Sequence, residues 1–156
     1  MSKCLITGTF DPPTLGHEAI IERALAVFDC VIVAVLVNPD KETMFSLQDR
    51  IEMLRLRFGK KVEVLSDPGW AVDVAKKVGA DVLVRGIRGD MDLVYEEEMA
   101  AYNRAHGVET LFFFAEEEVR DISSTKVRFA LCNGECPEDY LSEEVARFIA
   151  SDKGEE

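Results

Sequence analysis

At 156 residues and 17.5 kDa the chain fits one domain spanning 1–156, and 47% hydrophobic residues are enough to fill a core. It carries 30 acidic against 18 basic side chains, a net charge of -12 and a pI near 4.6. The apolar content argues against disorder, and the charge balance argues against a protein that grips nucleic acid through its phosphates but leaves room for a small anion in a local basic pocket.

Apolar runs closed by turn residues alternate with stretches of helical period. Lys3–Thr7 reads as the first strand. Leu15–Phe28 reads as a helix with Ala19, Ile20, Leu25, Val27 and Phe28 on its apolar face and Glu18, Glu22 and Arg23 turned outward. Cys30–Asn38 is a second, buried strand rich in β-branched residues. Leu47–Phe58 follows as a helix, with Ser46 as N-cap and Asp49 near its positive end. Val62–Leu65, Asp81–Arg85 and Thr110–Ala115 are three more strands, separated by helices at Trp70–Val78 and around 92–105. Helices near Thr125–Leu131 and Ser142–Ala150 close the chain, and the last residues, DKGEE, are expected to fray. Strands this apolar are covered on both faces. The expected fold is therefore α/β: a Rossmann-like doubly wound sheet of about five parallel strands with helices on both faces. Ligands bind such sheets beyond the carboxyl ends of the strands.

No apolar stretch reaches the roughly 18 residues of a membrane span, and Met1–Ile6 leads into a motif without a signal-like apolar region. A cytoplasmic protein free of the membrane is expected. Cys4 and Cys30 fall in strand-like surroundings, where a thiol acts as a small hydrophobe. Cys132 and Cys136 make a single C-x3-C without a second pair or a nearby histidine, too few ligands for a zinc site. No protein-held metal is expected.

The chemistry-bearing residues follow strands. After the first comes GTFDPPTLGH, residues 8–17, which has neither Walker A nor G-x-G-x-x-G spacing. Gly8 allows close backbone approach, Thr9 offers a hydroxyl and an N–H, and Pro12-Pro13 stiffen the turn. Thr14 can cap a helix that carries His17 in its first turn, where the dipole favours an anion. A lone histidine is more often structural; within this loop His17 is a phosphate donor candidate. After the second strand, Lys41 stands at the same edge, and an isolated lysine is ordinarily solvated. After the fourth, Arg85 and Arg88 alternate with glycines and suit a forked grip on phosphate. Salt bridges to Asp90, Asp92 and Glu96 are their alternative. After the fifth, Ser123, Ser124 and Thr125 open a helix as an anion site or as ordinary caps. Four candidates at one edge of one sheet reinforce each other, and together they read as a polyphosphate-binding α/β domain.

GTFDPPTLGH resembles the T/H-x-G-H signature of the adenylyl- and cytidylyltransferase superfamily. RGIRGDMDLVYE with Asn103-Arg104, Lys41 before Met44-Phe45, and ISST before the late helix resemble the phosphopantetheine adenylyltransferases over nearly the whole chain. The resemblance implies AMP transfer from ATP to 4'-phosphopantetheine by direct in-line attack, a step in coenzyme A synthesis. It implies that Thr9, Lys41 and Arg85 hold the acceptor phosphate, with catalytic roles for His17, Lys41 and Arg88. His17 steadies the α-phosphate, and Arg88, Ser124 and Thr125 take the β- and γ-phosphates. Phe10, Gly86, Ile87, Glu96 and Ser123 lie along the nucleotide, which Thr9 also meets. Mg2+ accompanies ATP, bridging its phosphates, and a hexamer is implied. The chain departs from the family pattern at Ile6-Thr7, where Tyr-Pro is usual, and at Val119-Arg120-Asp121, where two aromatics are usual. Trp70 stands where an aliphatic residue lines the acceptor arm. Two alternatives remain. Nicotinate-nucleotide adenylyltransferases share the start and the ISST but usually have His in place of Thr14 and lack the arginine segment. A non-catalytic nucleotide-binding regulator is the other.

Overall fold

The computed structural model describes residues 1–154, apart from the side chains of 90–92 and 152–154. Five strands, β1 (Lys3–Gly8), β2 (Cys30–Leu36), β3 (Glu63–Asp67), β4 (Val82–Ile87) and β5 (Glu109–Phe114), form one sheet in the order β3-β2-β1-β4-β5. Every pairing is parallel. Crossover helices α1 (Leu15–Val27), α2 (Leu47–Phe58), α3 (Ala71–Val78) and α4 (Asp90–Ala105) join them, and α5 (Ser124–Cys132) and α6 (Glu143–Gly154) follow. The expected architecture is the observed one, with boundaries shifted by one to three residues for most elements. The last helix extends beyond its expected end at Ala150 to Gly154, and residues 155–156 of the DKGEE end lie outside the described residues.

The alternation of the strands divides the core in two. Cys4, Ile6, Val31, Val33 and Val84 pack under α1 and α2 with Ile21, Leu54 and Phe58. Leu5, Ile32, Ala34 and Leu83 point to the other face, against Val72, Val74 and Ala75 of α3. A third cluster, with Met53, Val127, Val145 and Ile149, fastens α5 and α6 onto α2. Because β2 and β4 flank β1 on opposite sides, the winding reverses between β1 and β4 and opens a crevice at their carboxyl ends.

Two expectations need correction. On α1 the buried residues are Glu18, Ile20, Ile21 and Ala24, whereas Val27 is 62% exposed. Glu18 lies one turn before Ile21 on the inward stripe, and the residue just before α6 supplies its partner: Ser142 Oγ donates to Glu18 Oε1 at 2.7 Å. Arg57 of α2 stands 3.5 Å from the same oxygen. Even so, burial pushes the Glu18 carboxyl up to about 7. The last strand is also less covered than its composition suggests, with Phe114 65% and Leu111 42% exposed, because β5 is a sheet edge.

Candidate active site

The crevice between β1 and β4 contains a cavity of about 440 Å³. Its wall is assembled from the ends of β1, β2, β4 and β5, where the sequence had placed the candidates. Thr9, Phe10 and His17 follow β1, and Lys41 follows β2. Arg85, Gly86 and Arg88 come from β4 and its loop, Glu96 from α4, and Ser123, Ser124 and Thr125 from the start of α5. Ile87 is buried, with its carbonyl accepting from Ala115 N–H, and does not line this cavity. Trp70 stands apart as well, in a second cavity of about 370 Å³ lined also by Asn38, Pro68, Met99, Asn103 and Thr110. The two cavities share Thr7, Leu36, Arg85, Tyr95 and Glu96, so they adjoin across the Arg85–Glu96 pair.

Thr14 is the N-cap of α1, extended at φ -119°, and its hydroxyl accepts the His17 N–H at 3.5 Å. The reciprocal bond of this capping box runs from Thr14 N–H to His17 Nδ1 at 3.0 Å. A backbone N–H can only donate, so Nδ1 is the acceptor and the proton of the neutral imidazole resides on Nε2. Burial, then the charges of Arg88 and Arg85, lower the His17 pKa to about 4. His17 is thus a neutral, oriented N–H donor. Phe10 holds its ring from the side, edge-on at 5.0 Å between centroids, on a left-handed backbone at φ 53°. Close packing brings α1 to β4: a Cβ on Gly86 would meet Ile20 Cγ1 at 2.8 Å.

Arg85 makes a forked pair with Glu96, Nε to Oε2 at 3.2 Å and Nη2 to Oε1 at 2.8 Å, and its Nη1 donates to Thr7 O at 2.9 Å. The ion-pair alternative is therefore realised at Glu96, while the side chains of Asp90 and Asp92 lie outside the described residues. Arg88 donates to Ile122 O at 3.2 Å. Ser123 is a true N-cap, accepting from Lys126 N–H at 3.2 Å, and Ser124 Oγ donates to Pro12 O at 2.8 Å. Both hydroxyls retain acceptor capacity, and the first-turn N–H groups of α5 face the cavity end of the helix.

Sequence reading overlooked Arg128, which lines the same cavity and bridges Asp11 O at 2.8 Å and Thr125 Oγ1 at 3.1 Å. The signal was available, since Arg128 is four residues from Ser124 and so on the same face of α5. It overlooked Asp11 too, which is 3% exposed and whose carboxylate accepts two backbone N–H groups, from Met44 and Phe45, at 2.8 Å each.

The crevice at the switch point of this doubly wound sheet gathers a neutral histidine, a lysine and several arginines. The model of the cytidylyltransferase-like family matches residues 5–130, and the chain is a nucleotidyltransferase of that class. A phosphopantetheine adenylyltransferase of Flavobacterium psychrophilum is 40% identical over 86% of this chain and 91% of its own length. One from Symbiobacterium thermophilum is 44% identical over 82% of each, and one from Beijerinckia indica is 39% identical over 94% of this chain and 93% of its own. The chain belongs to the phosphopantetheine adenylyltransferase family. The fold is shared more widely: a crystal structure of a putative nicotinate-nucleotide adenylyltransferase from Vibrio parahaemolyticus aligns with TM-score 0.75 at 20% identity, over 97% of this chain and 94% of that one.

Proposed function

We propose that this protein transfers AMP from ATP to 4'-phosphopantetheine. A phosphate oxygen of the acceptor attacks the α-phosphorus, the bond to the bridging oxygen breaks in line, and dephospho-CoA and pyrophosphate leave. The observation that carries the reading is the meeting of strand-end cations and the oriented His17 N–H in one cavity, with a second cavity of about 370 Å³ adjoining it across Arg85 and Glu96. Such a displacement needs positioning and charge neutralisation, with no protein nucleophile. Lys41, Thr9 and Arg85 take the acceptor phosphate. His17 Nε2–H steadies the α-phosphate as negative charge builds there. Arg88, Ser124 and Thr125, with Arg128 beside them, take the β- and γ-phosphates.

The two carboxylates on the cavity wall are committed, Asp11 to backbone N–H groups and Glu96 to Arg85. That donor set suits Mg2+ carried by the ATP phosphates with water rather than a protein cage. The ion would neutralise phosphate charge. By resemblance the protein is cytoplasmic and hexameric. No helix among the described residues is long and apolar enough to cross a membrane, and the exposed Leu111 and Phe114 of β5 with Val94 of α4 support assembly.

The test is pyrophosphate release from Mg-ATP with 4'-phosphopantetheine, beside nicotinate mononucleotide and a no-acceptor control. Release with phosphopantetheine alone is expected. Release only with the mononucleotide would replace the proposed acceptor, and ATP binding without release would point to the regulator.

A further inference from the structure

Arg50 is a charged residue of α2 that is only 4% exposed. Its guanidinium donates to three main-chain carbonyls: Nε to Phe45 O at 3.2 Å, and Nη1 to Thr9 O at 2.9 Å and to Leu36 O at 3.3 Å. Those acceptors share a geometry. Leu36 ends β2 and Phe45 immediately precedes the cap of α2, so they bracket segment 37–44, which carries Lys41. Thr9 lies in the loop after β1. Asp11 closes from the same loop, its Oδ2 and Oδ1 accepting the N–H groups of Met44 and Phe45 at 2.8 Å each. One buried guanidinium and one buried carboxylate tie both ends of the Lys41 segment to the loop that bears Thr9.

A buried cation costs several kcal/mol in lost hydration unless its donors are filled. An apolar residue could occupy that volume more cheaply, but it could not bind three carbonyls at set angles. Lysine could not either, because its donors radiate from one point. Arg50 lines neither cavity, so it acts through the backbone it holds. On the triphosphate side His17 is anchored by Thr14 and Arg88 by Ile122, neither of which Arg50 touches.

We infer that Arg50 is a positioning residue for the acceptor phosphate, holding Thr9 and Lys41 in register on one side of the cavity while the nucleotide side is fastened independently. The inference rests on the reading of the protein as a transferase to a phosphorylated acceptor. It is tested with purified full-length parent, Arg50→Lys, Lys41→Ala and the double variant, measuring KM for each substrate and kcat. Amide hydrogen exchange is followed on the same proteins. Arg50→Lys should raise the phosphopantetheine KM about 10-fold or more while moving the ATP KM by less than about 2-fold. In the Lys41→Ala background the same change should add less than it does alone, since one of the two groups it positions is gone. Exchange should quicken at 37–44 and stay unchanged in α1 and α5. A parallel rise in both KM values, or additive effects in the double variant, overturns the proposal. If Arg50→Lys does not fold, Arg50→Gln takes its place in the cycle with the same expectations. A parent that releases no pyrophosphate overturns the transferase reading instead. Exchange then decides on Arg50 alone, and unchanged protection at 37–44 rejects the clamp.

Discussion

His17 is useful because the atom beside its Nδ1 can only donate. The spacing of GTFDPPTLGH put a histidine in the first turn of a helix, but the tautomer follows from the 3.0 Å bond to Thr14 N–H, which the sequence could not supply. With its pKa lowered to about 4, His17 is neutral throughout the working range. Its contribution to stability is complete above the ordinary value of 6.5 and is lost as pH falls toward 4. Two outcomes follow for activity. His17→Ala should lower kcat by about 10²-fold with little change in ATP affinity, as for other preorganised donors; equal kcat would remove His17 from the mechanism. The kcat/KM profile of the parent should show no inflection near 6.5 from this residue, which a pH series in Mg-ATP-saturated buffer can check. In the proposed division of the site Lys41 serves the acceptor, so Lys41→Ala should raise the phosphopantetheine KM, and a loss confined to ATP binding would redraw that division.

At the scale of elements, α1 joins the site to the scaffold through both its faces. Gly86 admits Ile20 so closely that Gly86→Ala must displace α1 or Ile20, at a cost of about 1–3 kcal/mol. Denaturant unfolding would measure it, and an unchanged midpoint would mean the helix has room. Glu18 is the more instructive residue. A carboxyl next to apolar and outward-turning positions reads as solvated, and only α6, folded back from 124 positions away, shows it to be buried. Its pKa is raised from 4.5 to about 7 by burial, opposed by Ser142 and Arg57, while Glu144 and Glu22 push it further up. The folded state therefore favours the protonated acid. The stability this brings is full below about 4.5 and is lost as pH rises to about 7. Glu18→Gln should remove that decline and leave the variant more stable than the parent at pH 8 by about 1–2 kcal/mol. A parent curve that does not steepen relative to the variant between pH 4.5 and 7 would count against it. The His17 and Glu18 slopes oppose each other where they overlap, so the variant's own stability should rise with pH there.

For the whole molecule, a chain of net charge -12 still gathers cations at one crevice, from the ends of β2 and β4 and from α5 after β5, with the neutral His17 on the β1 side. The apolar side chains left at the β5 edge, Leu111 and Phe114, carry the expectation of assembly. Sedimentation should give the mass of a hexamer rather than 17.5 kDa, and Phe114→Glu should shift it to smaller species; a monomeric parent would refute this. Local signals determined much of the protein. The order of elements, the parallel sheet and the strand-end location of Thr9, His17, Lys41, Arg88 and Ser123–Thr125 were legible because alternation, caps and turn residues are written within a few positions of one another. Tertiary structure decided the rest: the hydrogen bond that fixes the tautomer of His17, the choice of Glu96 among the acids the sequence offered to Arg85, the burial of Glu18 against α6, and Arg50 binding three carbonyls. Each of these depends on where a hydrogen-bond partner lies in space, and the free energy of a buried charge is set by that partner rather than by its neighbours along the chain.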